Sequence, residues 1–274
     1  MIQQDYRGTM PSFTLDHCTL DYQVSGPVED RGSPAVVQLH GLMSDTPSNT
    51  SGGLDLAAFV PGARVVRYDA RGHGRSTGEP VVDDWLWPNL AHDLLALLEH
   101  VFPGQPVHGI GPSMGSATLL YAALDQPEKF ASLTLCVPST SWATRRGQAT
   151  IYRESAEMIE TLGLETYIRA TRTVPQPPAV ADRERHPPRV AADLLPSVLR
   201  GAAATDLPDP QILSSITAPN LILAWSDDAA HPLSSSEILR EALPGQRMHI
   251  ARTPGELATW PRLCAEFVRE CDNA

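Results

Sequence analysis

Lysine is almost missing from this chain. Of 21 basic residues among 274, Lys129 is the one lysine and the rest are arginine. Acidic residues number 32, so the formal net charge is −11 at pH 7. No basic cluster or long run of like charge interrupts that balance, which argues against a nucleic-acid partner and against a charged tail. No stretch approaches the roughly 20 apolar residues that a membrane span requires. Cysteine is scarce. Cys18, Cys136, Cys264 and Cys271 show neither C-x-x-C nor metal-ligand spacing. Cys264 and Cys271 fall on one predicted helix, about 10 Å apart along its axis, too far for a disulfide. All four therefore read as reduced thiols in a cytoplasmic protein. Met1 to Phe13 lacks an apolar h-region and a cleavage site, so secretion is not expected. There is no G-x-G-x-x-G after a strand, no P-loop and no H-E-x-x-H. With no cluster of metal ligands either, the expectation is no metal and no cofactor. Internal repeats and low-complexity segments are absent, and nothing in the sequence speaks to oligomeric state.

What is present is an alternation of short apolar runs with helical patterns. Ala35–Leu39, Arg64–Tyr68, Pro106–Ile110, Ser132–Val137, Asn220–Trp225 and Arg247–Ala251 read as buried strands. Between the second and third, Trp87–Phe102 carries Leu90, Leu94, Leu97, Leu98 and Val101 at helical spacing. Met114–Leu124, rich in Ala and Leu, follows the third strand as a second helix. Strands alternating with helices over this length predict an α/β protein with a mostly parallel twisted sheet covered on both faces. Ala149–Leu164 and Val190–Arg200 read as further helices. The five prolines between Val174 and Pro188 predict an ordered loop or a hinge.

The third strand and the helix after it are joined by Gly111-Pro112-Ser113-Met114-Gly115. A serine between two glycines at a strand-to-helix turn has the pattern of a nucleophile elbow. The turn is tight enough that neighbouring Cβ atoms would collide, and the serine is held in a strained backbone conformation. Two other loops agree with it. The first strand runs into His40-Gly41-Leu42, and the second ends in Asp69-Ala70-Arg71-Gly72-His73-Gly74-Arg75-Ser76.

Together these segments resemble the α/β-hydrolase superfamily over nearly the whole chain. The HG turn and the D-x-R-G-H-G-x-S loop are similar to the family's. The resemblance implies a core domain, residues 1–138 and 219–274, carrying an inserted helical cap, residues 139–218, over the active site. It implies Ser113 as nucleophile. The oxyanion hole would come from the backbone amides of Leu42, after the HG turn, and Met114, after the nucleophile. Trp85, Trp87, Trp142, Tyr152 and Tyr167 are either pocket-lining or core residues.

The acid is expected after the strand Asn220–Trp225, where Asp227 and Asp228 both stand; the distance from the strand end favours Asp228. The base departs from the family pattern. Family order is Ser, acid, His, with the histidine after the last strand, yet no histidine occurs from Ile250 to Ala274. Glu256 stands near that place and is a candidate substrate contact, but a carboxylate with an ordinary pKa near 4 is a poor base toward serine. His231 is the best substitute. It lies three residues after Asp228 and just before a helix that Ser234 and Glu237 are spaced to open as a capping box. A helix N-terminus favours a neutral imidazole able to accept a proton. The alternative for His231 is a ring packed structurally on its loop. His40 is either a substrate contact beside the oxyanion hole or a brace for the HG turn. His73 reads as structural, His249 lies in the last strand, and His17, His92, His100, His108 and His186 have no motif around them.

Three functions remain open on this reading. One is a serine hydrolase of small esters, lactones or thioesters, with Ser113, Asp228 and a displaced base at His231. Another is a cyclase, lyase or dehydratase of the same fold, acting on a natural-product intermediate. The third is a protein that binds a small molecule without turning it over. A haloalkane dehalogenase or an epoxide hydrolase of this fold would need a carboxylate where Ser113 stands.

Overall fold

Six of the strands above form the parallel part of one eight-stranded sheet. The computed structural model describes residues 11–27, 29–245 and 247–273; residues 1–10 of the N-terminal stretch considered above lie outside them. The strands are β1 (Ser12–Leu15), β2 (Cys18–Ser25), β3 (Ala35–Gln38), β4 (Arg64–Tyr68), β5 (Val107–Pro112), β6 (Phe130–Cys136), β7 (Asn220–Trp225) and β8 (Arg247–Ala251). Their order across the sheet is β1-β2-β4-β3-β5-β6-β7-β8. Pairing is antiparallel from β1 to β2 and from β2 to β4, and parallel elsewhere. Sequence pattern alone does not bring out β1 and β2, although the signal in β2 is present: Cys18, Leu20 and Tyr22 are buried and alternate with half-buried residues.

Alternation along the central strands divides the apolar residues between two layers. Val37, Val66, Leu133, Leu135 and Ile222 face the helices α2 (Trp87–Val101) and α3 (Met114–Asp125). Val36, Val65, Ile110, Cys136, Leu221 and Leu223 face the opposite layer. That layer holds Trp260, Phe267 and Val268 of the C-terminal helix, Trp260–Asp272. Both faces are covered, which is why the central strands are mostly apolar and why even their polar residues, among them Gln38, His108, Ser132 and Thr134, are buried. All four cysteines are free.

Between β6 and β7 the chain forms four helices, α4 (Arg145–Leu162), α5 (Leu164–Thr171), α6 (Leu195–Ala204) and α7 (Pro210–Leu213). The expected helix Ala149–Leu164 begins earlier and ends at Gly163, whose φ of +83° turns the chain into α5. The expected helix Val190–Arg200 begins only at Leu195, because Val190 bridges to His73. The proline-rich loop is the ordered alternative, pinned to the core at several points. Ala179 is fully buried beside Leu257, His186 Nε2 pairs with Ser51 Oγ at 2.9 Å, and the Arg189 N–H donates to Met43 O at 2.9 Å. Trp85, Trp87 and Tyr167 are core residues, whereas Trp142 and Tyr152 are only partly buried. Among the described residues, no helix is long and apolar enough to cross a membrane.

Four further helices complete the described residues: α1 (Thr46–Ser51), α8 (Leu233–Ala242), α9 (Pro254–Leu257) and α10, the C-terminal helix already placed. The elbow between β5 and α3 shows why glycine is required there. A Cβ on Gly111 would lie 2.7 Å from the Gly115 carbonyl carbon, and one on Gly115 would lie 2.9 Å from Leu39 Cβ. Gly111→Ala is therefore expected to lower stability by about 1–3 kcal/mol, since backbone rather than a side-chain tip must shift. Gly147→Ala, on the open face of α4 with nothing within 4 Å of the added Cβ, should instead raise it by about 0.5–1 kcal/mol. Thermal melts of the two variants beside the parent check both signs.

Candidate active site

Ser113 has φ 52° and ψ −110°, a conformation that costs a non-glycine residue on the order of 1–3 kcal/mol. The surrounding bonds hold it there. The Ser113 N–H donates to Cys136 O at 2.9 Å, and the buried Ser116 hydroxyl donates to Gly111 O at 2.6 Å. The result is a half-buried hydroxyl presented at the C-terminal edge of the sheet. β3 lies between β4 and β5, so the connection from β4 must cross it, and crevices for ligands form at such a switch point.

The turn between β7 and α8 arrives at the same edge. His231 Nε2 lies 2.9 Å from Ser113 Oγ, and His231 Nδ1 lies 2.8 Å from Asp228 Oδ2. The network assigns the ring proton to Nδ1, donating to the carboxylate and leaving Nε2 to accept from the serine hydroxyl. Asp228 also accepts from Trp225 Nε1 at 2.7 Å and from the Ala230 N–H at 2.9 Å. Burial alone would raise the Asp228 pKa. The hydrogen bond and charge of His231, then the indole and amide donors, outweigh it and hold the carboxyl at about 2. Asp227 begins the turn instead, exposed, with φ 59° and its carboxylate accepting from Ser226 Oγ.

Trp225 is a site residue that no sequence motif singles out. Its ring stands edge-on to His231 with centroids 6.0 Å apart and stacks on Trp260 at 6.2 Å. An indole at the end of the strand before Asp228 is a signal of sorts, since a buried Trp N–H seeks an acceptor. The capping box expected from Ser234 and Glu237 does not form. Pro232 is the N-cap of α8 and has no side chain to cap with, so Ser234 and Glu237 fall inside the helix.

Two sequence candidates lie elsewhere. His40 is buried with both ring nitrogens engaged: Nδ1 donates to Gly41 O at 2.8 Å and Nε2 accepts from the Ala70 N–H at 2.9 Å. It braces the HG turn and has no free nitrogen for a substrate. Glu256 is exposed and accepts the Arg252 N–H, in a turn where Thr253 Oγ1 accepts the Glu256 N–H. No hydrogen bond or ion pair joins it to Ser113, Asp228 or His231; its bonds close the start of α9.

The loop after β4 braces the HG turn from behind. His73 Nδ1 lies 2.9 Å from Arg71 O, and its Nε2 accepts the Met43 N–H at 3.2 Å. Burial, reinforced by His40 nearby, pushes the His73 pKa down to about 3, and burial likewise lowers that of His40. Both rings are thus neutral, as acceptors of backbone N–H must be. Arg71 anchors this loop through a bidentate pair with Asp93, both bonds 2.7 Å. A Cβ on Gly41 would lie 3.7 Å from Ser113 Cβ, so the HG turn passes directly against the elbow. Among the described residues, neither the Leu42 nor the Met114 N–H donates to a protein acceptor. Nor do the described residues contain a group of three or more His, Cys, Asp or Glu able to hold a metal ion.

Comparison with known proteins agrees with this architecture. A family model described as serine aminopeptidase, S33, matches residues 33–256. The chain belongs to that family. It is an enzyme of the α/β-hydrolase superfamily. It is similar to 3-oxoadipate enol-lactonase 1 of Acinetobacter baylyi, 27% identical over 231 residues that cover 81% of each chain. Two solved structures share the fold. A hydrolase from Pseudomonas aeruginosa PA01 gives a TM-score of 0.78 at 22% identity, covering 98% of this chain and 100% of that one. The enol-lactonase from Burkholderia xenovorans LB400 gives 0.73 at 20% identity, covering 96% and 98%.

The depressed Asp228 pKa has a consequence for stability. A carboxyl whose folded pKa lies below its unfolded value of about 3.9 stabilises the fold above that value and loses the contribution as pH falls through about 2. The contribution is about 2 kcal/mol. Urea unfolding at stepped pH should show this loss between pH 5 and 2 in the parent and a flatter profile in Asp228→Asn. Equal slopes would mean that the carboxylate makes no such contribution.

Proposed function

We propose that the protein is a serine hydrolase of small esters or lactones, with Ser113 as nucleophile, His231 as base and Asp228 as the acid that orients it. The observation that carries this reading is the unbroken row from Ser113 Oγ through both nitrogens of His231 to Asp228, with bonds of 2.9 and 2.8 Å. The family's usual base position after the last strand holds no histidine; in this reading the function has moved to the loop that already carries the acid. The name of the enol-lactonase relative supports a cyclic or linear ester as the bond broken.

The steps follow from the geometry. Ser113 Oγ attacks the substrate carbonyl carbon as its proton passes to His231 Nε2, and the carbonyl π pair moves onto oxygen. The Leu42 and Met114 N–H groups stabilise that oxyanion. The charge arising on His231 is offset by Asp228, ionised at all but strongly acid pH. Collapse of the intermediate breaks the C–O bond, and the departing alkoxide takes the proton from Nε2. In a lactone that alkoxide stays tethered to the acyl group. Water then attacks the acyl-enzyme, giving its proton to Nε2, and the acid is released as Ser113 recovers its hydrogen. Residues 139–218 act as a cap over the site. The partner is a small molecule, taken up without a cofactor.

Fluorophosphonate labelling, read by intact mass and peptide mapping, tests the assignment. The parent should be modified at Ser113 alone, and Ser113→Ala not at all. His231→Ala should slow both labelling and p-nitrophenyl acetate hydrolysis by about 10⁴-fold with the fold intact. Labelling that ignores His231→Ala would reject the relocated base. A parent inert to the probe would favour a lyase, a cyclase or a binding role.

A further inference from the structure

A base placed on the same turn as its acid needs support from outside that turn, and the exit of β6 supplies it. The Thr140 N–H donates to Ala230 O at 3.0 Å, fixing the peptide immediately before His231. The Ala230 N–H in turn holds Asp228 Oδ1 at 2.9 Å. One residue further on, Ser141 Oγ pairs with Ser235 Oγ at 2.8 Å, in the first turn of α8; both serines are buried. The turn carrying Asp228 and His231 is thus stapled at two points to the segment that opens the residue 139–218 insertion.

Behind the staple stands Arg145, 4% exposed, at the start of α4. Its Nη1 reaches Thr140 O at 3.4 Å and Thr140 Oγ1 at 3.2 Å; its Nε donates to Thr205 O at 2.8 Å, and its Nη2 to Ala202 O. Ala202 and Thr205 lie at the far end of α6, so one guanidinium joins two parts of the insertion to the β6 exit. Its faces lie over Trp87, 4.3 Å from the ring centroid, and Tyr152, 5.6 Å. Among the described residues it forms no ion pair; the charge of Asp206, whose carboxylate accepts the Trp142 N–H, reaches it only at longer range. A buried cation bonded only to carbonyl and hydroxyl oxygens and aromatic faces is costly to keep. A lysine could not reach three separate acceptors from one planar group.

We propose that Arg145 is a positioning residue for the acid–base turn, acting through Thr140 and Ala230, so that the seating of the 139–218 insertion sets the alignment of His231 with Ser113. Ser141 and Ser235 form the second leg of the same device. The proposal rests on the hydrolase reading above, and its test separates the two.

Arg145→Gln, Arg145→Lys, Ser141→Ala, Ser235→Ala and the double serine variant are assayed beside the parent with p-nitrophenyl acetate and a fluorophosphonate. The downfield proton on His231 Nδ1, hydrogen-bonded to Asp228, is followed by NMR. Folding is checked by circular dichroism. Arg145→Gln is expected to lower kcat by about 10- to 100-fold with KM within twofold, and to broaden or move the downfield proton. Arg145→Lys should recover part of the loss. The serine pair keeps the test open if Arg145→Gln fails to fold: each single change should lower kcat, and the double should cost no more than the larger single. Folded variants with parental kcat and an unchanged downfield proton would overturn the proposal while leaving Ser113 reactive. A rise in KM alone, or additive serine effects, would also overturn it. A parent inert toward both probes would overturn the hydrolase reading and this proposal with it.

Discussion

The left-handed backbone at Ser113 is the constraint from which the site is built. A side chain held at φ 52° between β5 and α3 must be flanked by residues that let the strand and the helix touch, and Gly111 and Gly115 meet backbone to backbone. That contact leaves no slack, so the rest of the site is arranged around the serine. Ser116 ties the turn to Gly111 O and Cys136 O, and the HG turn lies against Ser113 Cβ. The strain is of the order of a few kcal/mol. It is sustained because β5 is central, paired on both sides and buried on both faces.

Neutral imidazoles do much of the remaining positioning. His40 and His73 each accept a backbone N–H from another loop, from Ala70 and Met43 respectively. A protonated ring could not accept, and burial makes protonation unfavourable. His231 has the same arrangement turned to a different use. Its Nδ1 is committed to Asp228 while its acceptor nitrogen faces a hydroxyl rather than an amide. His231 and Asp228 stand three residues apart on one loop, joined at 2.8 Å. Both depend on the neighbours of that loop, namely Trp225 beneath and Thr140 and Ser141 beside it.

Much of this architecture is legible in the order of residues. The apolar runs mark the parallel strands within a residue or two at most ends, because strands buried on both faces are predominantly apolar. The two antiparallel edge strands are harder to read although Cys18, Leu20 and Tyr22 alternate, since a half-exposed strand carries a weaker signal. Ser113, Asp228 and His231 can be named from motif, strand end and spacing. Glu256 and His40 are drawn toward the substrate by their position in sequence alone. In the fold, Glu256 completes the turn before α9, and His40 has both nitrogens occupied.

The sequence by itself determined the class of fold, the place of Ser113 at a tight strand-to-helix turn and the absence of a histidine after the last strand. Each of these rests on local chemistry: hydrophobic period, glycine flanking a tight turn, and plain residue identity. Only the tertiary structure decided which aspartate turns inward, that one imidazole spans from it to the serine, and that Arg145 joins the insertion to that turn. Asp228 is turned by Trp225, Ala230 and His231, all close by in the chain, but the other two depend on groups 60 to 118 residues apart meeting within about 3 Å. No spacing along a sequence can encode such contacts. They follow from how the β6 and β7 ends are brought side by side and from what is buried between them.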